Sequence, residues 1–141
     1  MERNDFILAV LSSGRGAAYR PVQVQKLFFL IDRNIPELVG GPFFSFAPYD
    51  YGPFDKAVYE ALEQLAGEGD VEVCPQRTWN NYRLTANGQA KGERLFRSLD
   101  SSAQNYITRA SNFVTRLSFT KLVSAIYKAY PEMRANSVFQ E

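Results

Sequence analysis

Residues 54–84 restrict the possible folds more than any other part of this chain. Phe54, Ala57, Val58, Ala61, Leu62 and Leu65 recur at helical spacing in one unbroken apolar stripe, which Gly67 and Gly69 stop. Two alternating stretches follow directly, Val71-Glu72-Val73 and Tyr82-Arg83-Leu84, with residues 75–81 between them. They predict a two-stranded hairpin closed by a loop of about five to seven residues.

The helices are supplied on both sides. Phe6, Ile7, Val10 and Leu11 predict a first helix from Asn4 or Asp5 to about Ser13, ended by Gly14 and Gly16. Pro21 opens a second, whose Val24, Leu27, Phe28 and Ile31 form its core face and which ends before Pro36. Gln25 and Lys26 fall off that face and are expected to be exposed or to meet the hairpin. A turn at Gly40 to Pro42 leads to Phe44-Ser45-Phe46, which alternates like a short strand, and Pro53 is placed to start the third helix behind Gly52. Downstream, Thr85, Asp100 (or Ser101) and Ser118 are N-caps for three further helices, with Pro131 ending the last. The tail from Met133 to Glu141 reads as irregular, its Val138-Phe139 pair free to pack locally or on another subunit.

Helix, helix, short strand, helix, hairpin and three more helices make a mainly α fold with a small β wing. The arrangement expected is a winged helix-turn-helix core over residues 1–99, with a C-terminal helical extension over 100–141 packed on it in one structural domain. The length of 141 residues fits one such domain.

The absence of histidine removes the commonest general base and zinc ligand, and a single cysteine, Cys74, excludes Cys-rich metal sites and internal disulfides. No Ser-His-Asp or Cys-His arrangement can form, and there is no Gly-rich phosphate loop or clustered carboxylate motif. The expectation is a protein that is not an enzyme and uses no metal or cofactor. Cys74 has no activating neighbour and is expected to be inert. A lone thiol, no signal-like start and no long apolar run point to a cytoplasmic protein that does not enter membranes.

Charge separates this chain from an ordinary DNA reader. Between Asp50 and Glu72 stand seven acidic residues (Asp50, Asp55, Glu60, Glu63, Glu68, Asp70, Glu72) against Lys56 alone, on the helix that should enter a major groove. From Val73 to Lys128 the sign reverses, with nine basic residues against Glu93 and Asp100. Arg77, Arg83, Lys91 and Arg94 are therefore the candidates for nucleic-acid contact through the wing and later helices. A bipolar chain also suits a protein partner or a second copy of itself.

Two loops carry candidate partner contacts. In Tyr49-Asp50-Tyr51-Gly52-Pro53-Phe54, turn chemistry accounts for Gly52 and Pro53 but not for both tyrosines. Asp50 either caps the next helix or faces a partner. At the hairpin tip, Trp79 stands in a polar loop with Arg77, either a partner anchor or a ring folded back on the core. Arg83 joins them on the second strand.

Gln25-Lys26-Leu27, Tyr51-Gly52-Pro53 and Leu84-Thr85 with Gly88 together resemble the Panacea family, small phage-associated proteins that include SocA-type antitoxins, and the related YwgA-like bacterial proteins. The likeness covers roughly residues 4 to 98. It departs from the family pattern at Phe54, where the family often carries valine, and in the stretch from Ser118 to Phe139. The resemblance implies a winged-helix scaffold and a partner-binding role, with a cognate toxin or defence component as the partner. The reading that results is a non-enzymatic protein-interaction module, antitoxin-like or phage-defence-associated. The alternative is a DNA-binding transcriptional regulator.

Overall fold

Every residue of the second helix from Gln23 to Asp32 is buried, and the other elements wrap around it. The computed structural model describes residues 1–140. Among these the chain is mainly helical, with two small antiparallel two-stranded sheets. In order they are α1 (Arg3–Ser12), α2 (Pro21–Asn34), α3 (Pro36–Val39), β1 (Ala47–Tyr49), β2 (Gly52–Phe54), α4 (Ala57–Gly67), β3 (Val71–Pro75), β4 (Asn80–Leu84), α5 (Ala86–Arg97), α6 (Ser101–Arg116) and α7 (Phe119–Ala129). A 3-10 turn, Pro131–Arg134, follows. Among the described residues no helix is long and apolar enough to cross a membrane.

The core is one cluster running from Phe6 to Met133. Phe6 lies within 5.6 Å of Phe28 and stacks on Phe43 at 4.4 Å between ring centres. Each fully buried Phe, Leu or Ile in it contributes roughly 1.5–3 kcal/mol. The close contact of α1 on α5 depends on Gly92, where a Cβ would strike the Leu8 carbonyl. Thr85, Asp100 and Ser118 cap α5, α6 and α7 as expected, accepting from the backbone N–H of Gly88, Ala103 and Lys121.

The hairpin expected as a wing is β3 paired with β4, Val71 opposite Leu84 through Pro75 opposite Asn80. Its strands run further than the alternation indicated, leaving only residues 76–79 as the loop, closed by the Gln76 N–H donating to the Trp79 carbonyl at 2.8 Å. Tyr19, between α1 and α2, exchanges both backbone hydrogen bonds with Tyr82 at 2.8 and 2.9 Å and so extends this sheet. The Tyr19 hydroxyl lies 2.6 Å from Ser111 Oγ on α6, tying the wing sheet to the C-terminal helices.

Two expectations before α4 are corrected. Phe44-Ser45-Phe46 is not a strand, because side chains hold its backbone. Asp32 accepts from the N–H of Phe43 and Phe44 (3.0 and 2.8 Å), and Asp55 accepts from Ser45 at 2.7 Å. Pro53 does not begin a helix but sits in β2, directly opposite Pro48 of β1. Two prolines facing each other need no ladder donor at that step. The helix begins at Ala57, whose N–H is taken by Asp55 Oδ1 at 2.9 Å.

Candidate functional site

The small β1–β2 hairpin forms one wall of a cavity. Its turn, Asp50-Tyr51, leads into Gly52 with φ 104°, a left-handed conformation that favours glycine. The turn stands over the first turn of α2, where Pro21 is placed for helix initiation and the Arg20 N–H donates to Gln23 Oε1 at 2.7 Å. The tip of the wing closes the far side. Between them lies a groove of about 620 Å³, lined by Arg20, Val22, Gln25, Lys26, Tyr49, Asp50, Tyr51, Phe54, Tyr59, Thr78, Trp79 and Phe119, among others.

Its walls are aromatic and mutually braced. Tyr49 stacks on Phe54 at 4.8 Å, Tyr51 meets Phe119 edge-on at 5.1 Å, and Tyr59 bridges Phe54 and Tyr82 at 5.8 and 6.0 Å. Tyr49, Tyr51 and Trp79 nevertheless stay open to solvent, at 53%, 43% and 44% exposure. The Trp79 indole donates to Asn81 Oδ1 at 2.9 Å, which fixes the ring at the loop surface instead of folding it into the core.

The floor is polar, and it overturns the expectation for Gln25 and Lys26. Both are buried, at 2% and 3% exposure. Gln25 binds the Asp55 backbone in both directions, donating to its carbonyl at 3.0 Å and accepting from its N–H at 2.9 Å. Lys26 Nζ reaches one acceptor, the Pro53 carbonyl, at 3.4 Å, and no carboxylate among the described residues pairs with it. Burial pulls its ammonium from the ordinary 10.5 down to about 7. Burial also pushes the Tyr59 phenol up to about 12, so it remains a donor.

The turn over this floor is held from behind by the C-terminal tail. The Val138 N–H and Ser137 Oγ both donate to the Asp50 carbonyl, at 3.0 and 3.3 Å, and Tyr127 donates to Ser137 Oγ at 2.6 Å. Phe139 packs beside Phe119 and Tyr127. The tail thus docks on its own chain, and Asp50 is a tail acceptor instead of a helix cap.

The structure therefore gathers Tyr49, Asp50, Tyr51 and Trp79 in one groove and leaves the basic candidates outside it. Arg77 is exposed in the wing loop. Arg83 pairs across the wing with Glu72 at 2.9 Å. Lys91, on α5, pairs with the buried Asp70 at 3.0 Å, while Arg94 lies exposed further along the same helix. Arg20, Gln25, Lys26 and Tyr59 also line the groove and were not singled out as contacts, while Phe54 and Phe119, expected as helix-face residues, form part of its aromatic wall. The signal for Lys26 lay in its own helix, where Leu27-Phe28-Phe29-Leu30-Ile31 is apolar on every face and so marks α2 as enclosed all round. The chain matches no protein-family model, no curated protein and no solved structure.

Proposed function

We propose that the protein is a non-enzymatic interaction module on a winged-helix scaffold, antitoxin-like or phage-defence-associated, acting in the cytoplasm on a protein partner. The observation that carries the reading is the convergence of three solvent-open aromatic residues, Tyr49, Tyr51 and Trp79, from two separate loops on one groove. Aromatic side chains held in place by packing are the typical anchors of protein interfaces. The winged-helix assignment draws support from the order α1, Tyr19 bridge, α2, α4 and wing. The regulator alternative has less support, since Arg83 and Lys91 are engaged in ion pairs within the chain and Glu60, Glu63 and Glu68 face solvent around α4.

Co-expression with each adjacent gene product tests the reading. A stable complex is expected, lost on Tyr51→Ala or Trp79→Ala and kept on Arg94→Ala. Free monomer with every neighbour, or a complex indifferent to Tyr51 and Trp79, overturns it. A self-associated dimer sensitive to the same two substitutions would make a second copy the partner.

A further inference from the structure

We infer that the groove binds a carboxylate side chain of the partner protein, set between apolar or aromatic neighbours, with Lys26 as its counter-ion. The inference rests on the interaction-module reading and specifies what that module recognises. The pairing of Lys26 is incomplete. Buried ammonium groups are ordinarily paired, yet Lys26 has one long contact to the Pro53 carbonyl and no carboxylate partner among the described residues. Its side chain lines the groove, and Gly52 packs directly against its end, a Cβ there standing 3.7 Å from Nζ, in ordinary van der Waals contact. Arg20 adds a second cation to the lining, against one carboxylate, Asp50.

The aromatic walls settle the rest of the ligand. A free inorganic anion would leave the exposed faces of Tyr49, Tyr51 and Trp79 uncovered, whereas an acidic residue flanked by rings covers them and excludes water from the new ion pair. An ion pair formed in so buried a place is far less screened than one on the surface. Binding is also coupled to protonation of Lys26, whose ammonium, lowered by burial to about 7, is charged below that pH and increasingly neutral above it. The other charged or titratable groups facing it are Arg20 from the start of α2, Asp50, Tyr49 and Tyr51 from the hairpin, Tyr59 from α4, and Tyr127 from α7 beside Gly52.

The test uses two peptides, N-acetyl-Phe-Glu-Phe-amide and its neutral isostere N-acetyl-Phe-Gln-Phe-amide. Each is titrated into the full chain by calorimetry and by fluorescence of Trp79, the only tryptophan. At about pH 6 the Glu peptide is expected to bind about tenfold tighter than the Gln peptide, and at about pH 9 the preference shrinks several-fold, although the peptide carboxylate stays ionised. Lys26→Met is expected to bind both peptides alike at both pH values. Equal binding of the two peptides to the native chain, no binding of either, or a preference that survives Lys26→Met would overturn the inference. Should Lys26→Met melt below the native chain, the native comparison at two pH values decides alone. A complex with an adjacent gene product that tolerates Lys26→Met removes the carboxylate and keeps the interaction module. Peptide discrimination without any such complex does the reverse.

Discussion

Lys26→Met should stabilise this protein, and more at low pH than at high. Nζ is enclosed at 3% residue exposure with a single contact of 3.4 Å, so an ammonium there has lost most of its hydration without gaining a counter-ion among the described residues. Its folded-state value is lowered from 10.5 to about 7. Between those two values the unfolded chain holds a proton that the folded chain has released, so native stability rises with pH across that window. Below the window both states are protonated, and the folded state carries the full cost of the buried charge. One proton corresponds to a slope of at most ~1.4 kcal/mol per pH unit. Going from about pH 6 to about pH 9 crosses about two units of the window, which amounts to roughly 3 kcal/mol, or ~10 °C in Tm for a domain of this size.

Methionine is of similar length and carries no charge, and it forfeits only the long bond to Pro53. Urea denaturation of both proteins at both pH values, followed by far-UV circular dichroism, measures the difference. Subtracting native from variant cancels titrations the two share, including those of the buried tyrosines and Asp32. The advantage of Lys26→Met should be greater at about pH 6 than at about pH 9 by roughly 3 kcal/mol. An advantage equal at the two pH values within about 1 kcal/mol would refute the reasoning, because it would mean that the folded-state ammonium is solvated or paired.

Two other outcomes follow from the packing. Gln25→Leu leaves the Asp55 N–H and carbonyl without their partners and should cost about 2 kcal/mol, read as a lower urea midpoint at unchanged slope. Gly92→Ala pushes α1 off α5 and should cost ~1–3 kcal/mol, whereas Gly67→Ala, which meets nothing within 4 Å, should gain ~0.5–1 kcal/mol; thermal melts compare them.

The parts of this fold that were legible in the chain are those governed by local rules. Thr85, Asp100 and Ser118 announce their helices because a hydroxyl or carboxylate that accepts from the first turn leaves its mark at a fixed offset. The β3–β4 hairpin was legible because its outward and inward residues alternate. The β1–β2 hairpin was not, since its strands are three residues long and place Pro48 against Pro53. Proline there looks like a helix start when only the neighbouring sequence is read. Missing that hairpin also hid the floor of the groove. Without a second layer over α2, Gln25 and Lys26 fall on the polar side of the helical wheel. With it, they become buried groups, one satisfied by Asp55 and one short of a partner. The aromatic rim could be read as unexplained residues, Tyr49, Tyr51 and Trp79, but their meeting in space depends on contacts far apart in sequence.

The most direct test of the groove as the partner interface is amide hydrogen exchange on the complex with an adjacent gene product. Protection gained over residues 49–54, 20–26 and 76–81 together is the predicted result. Protection confined to the outer faces of α5 and α6, with those three segments exchanging as in the free protein, would contradict it.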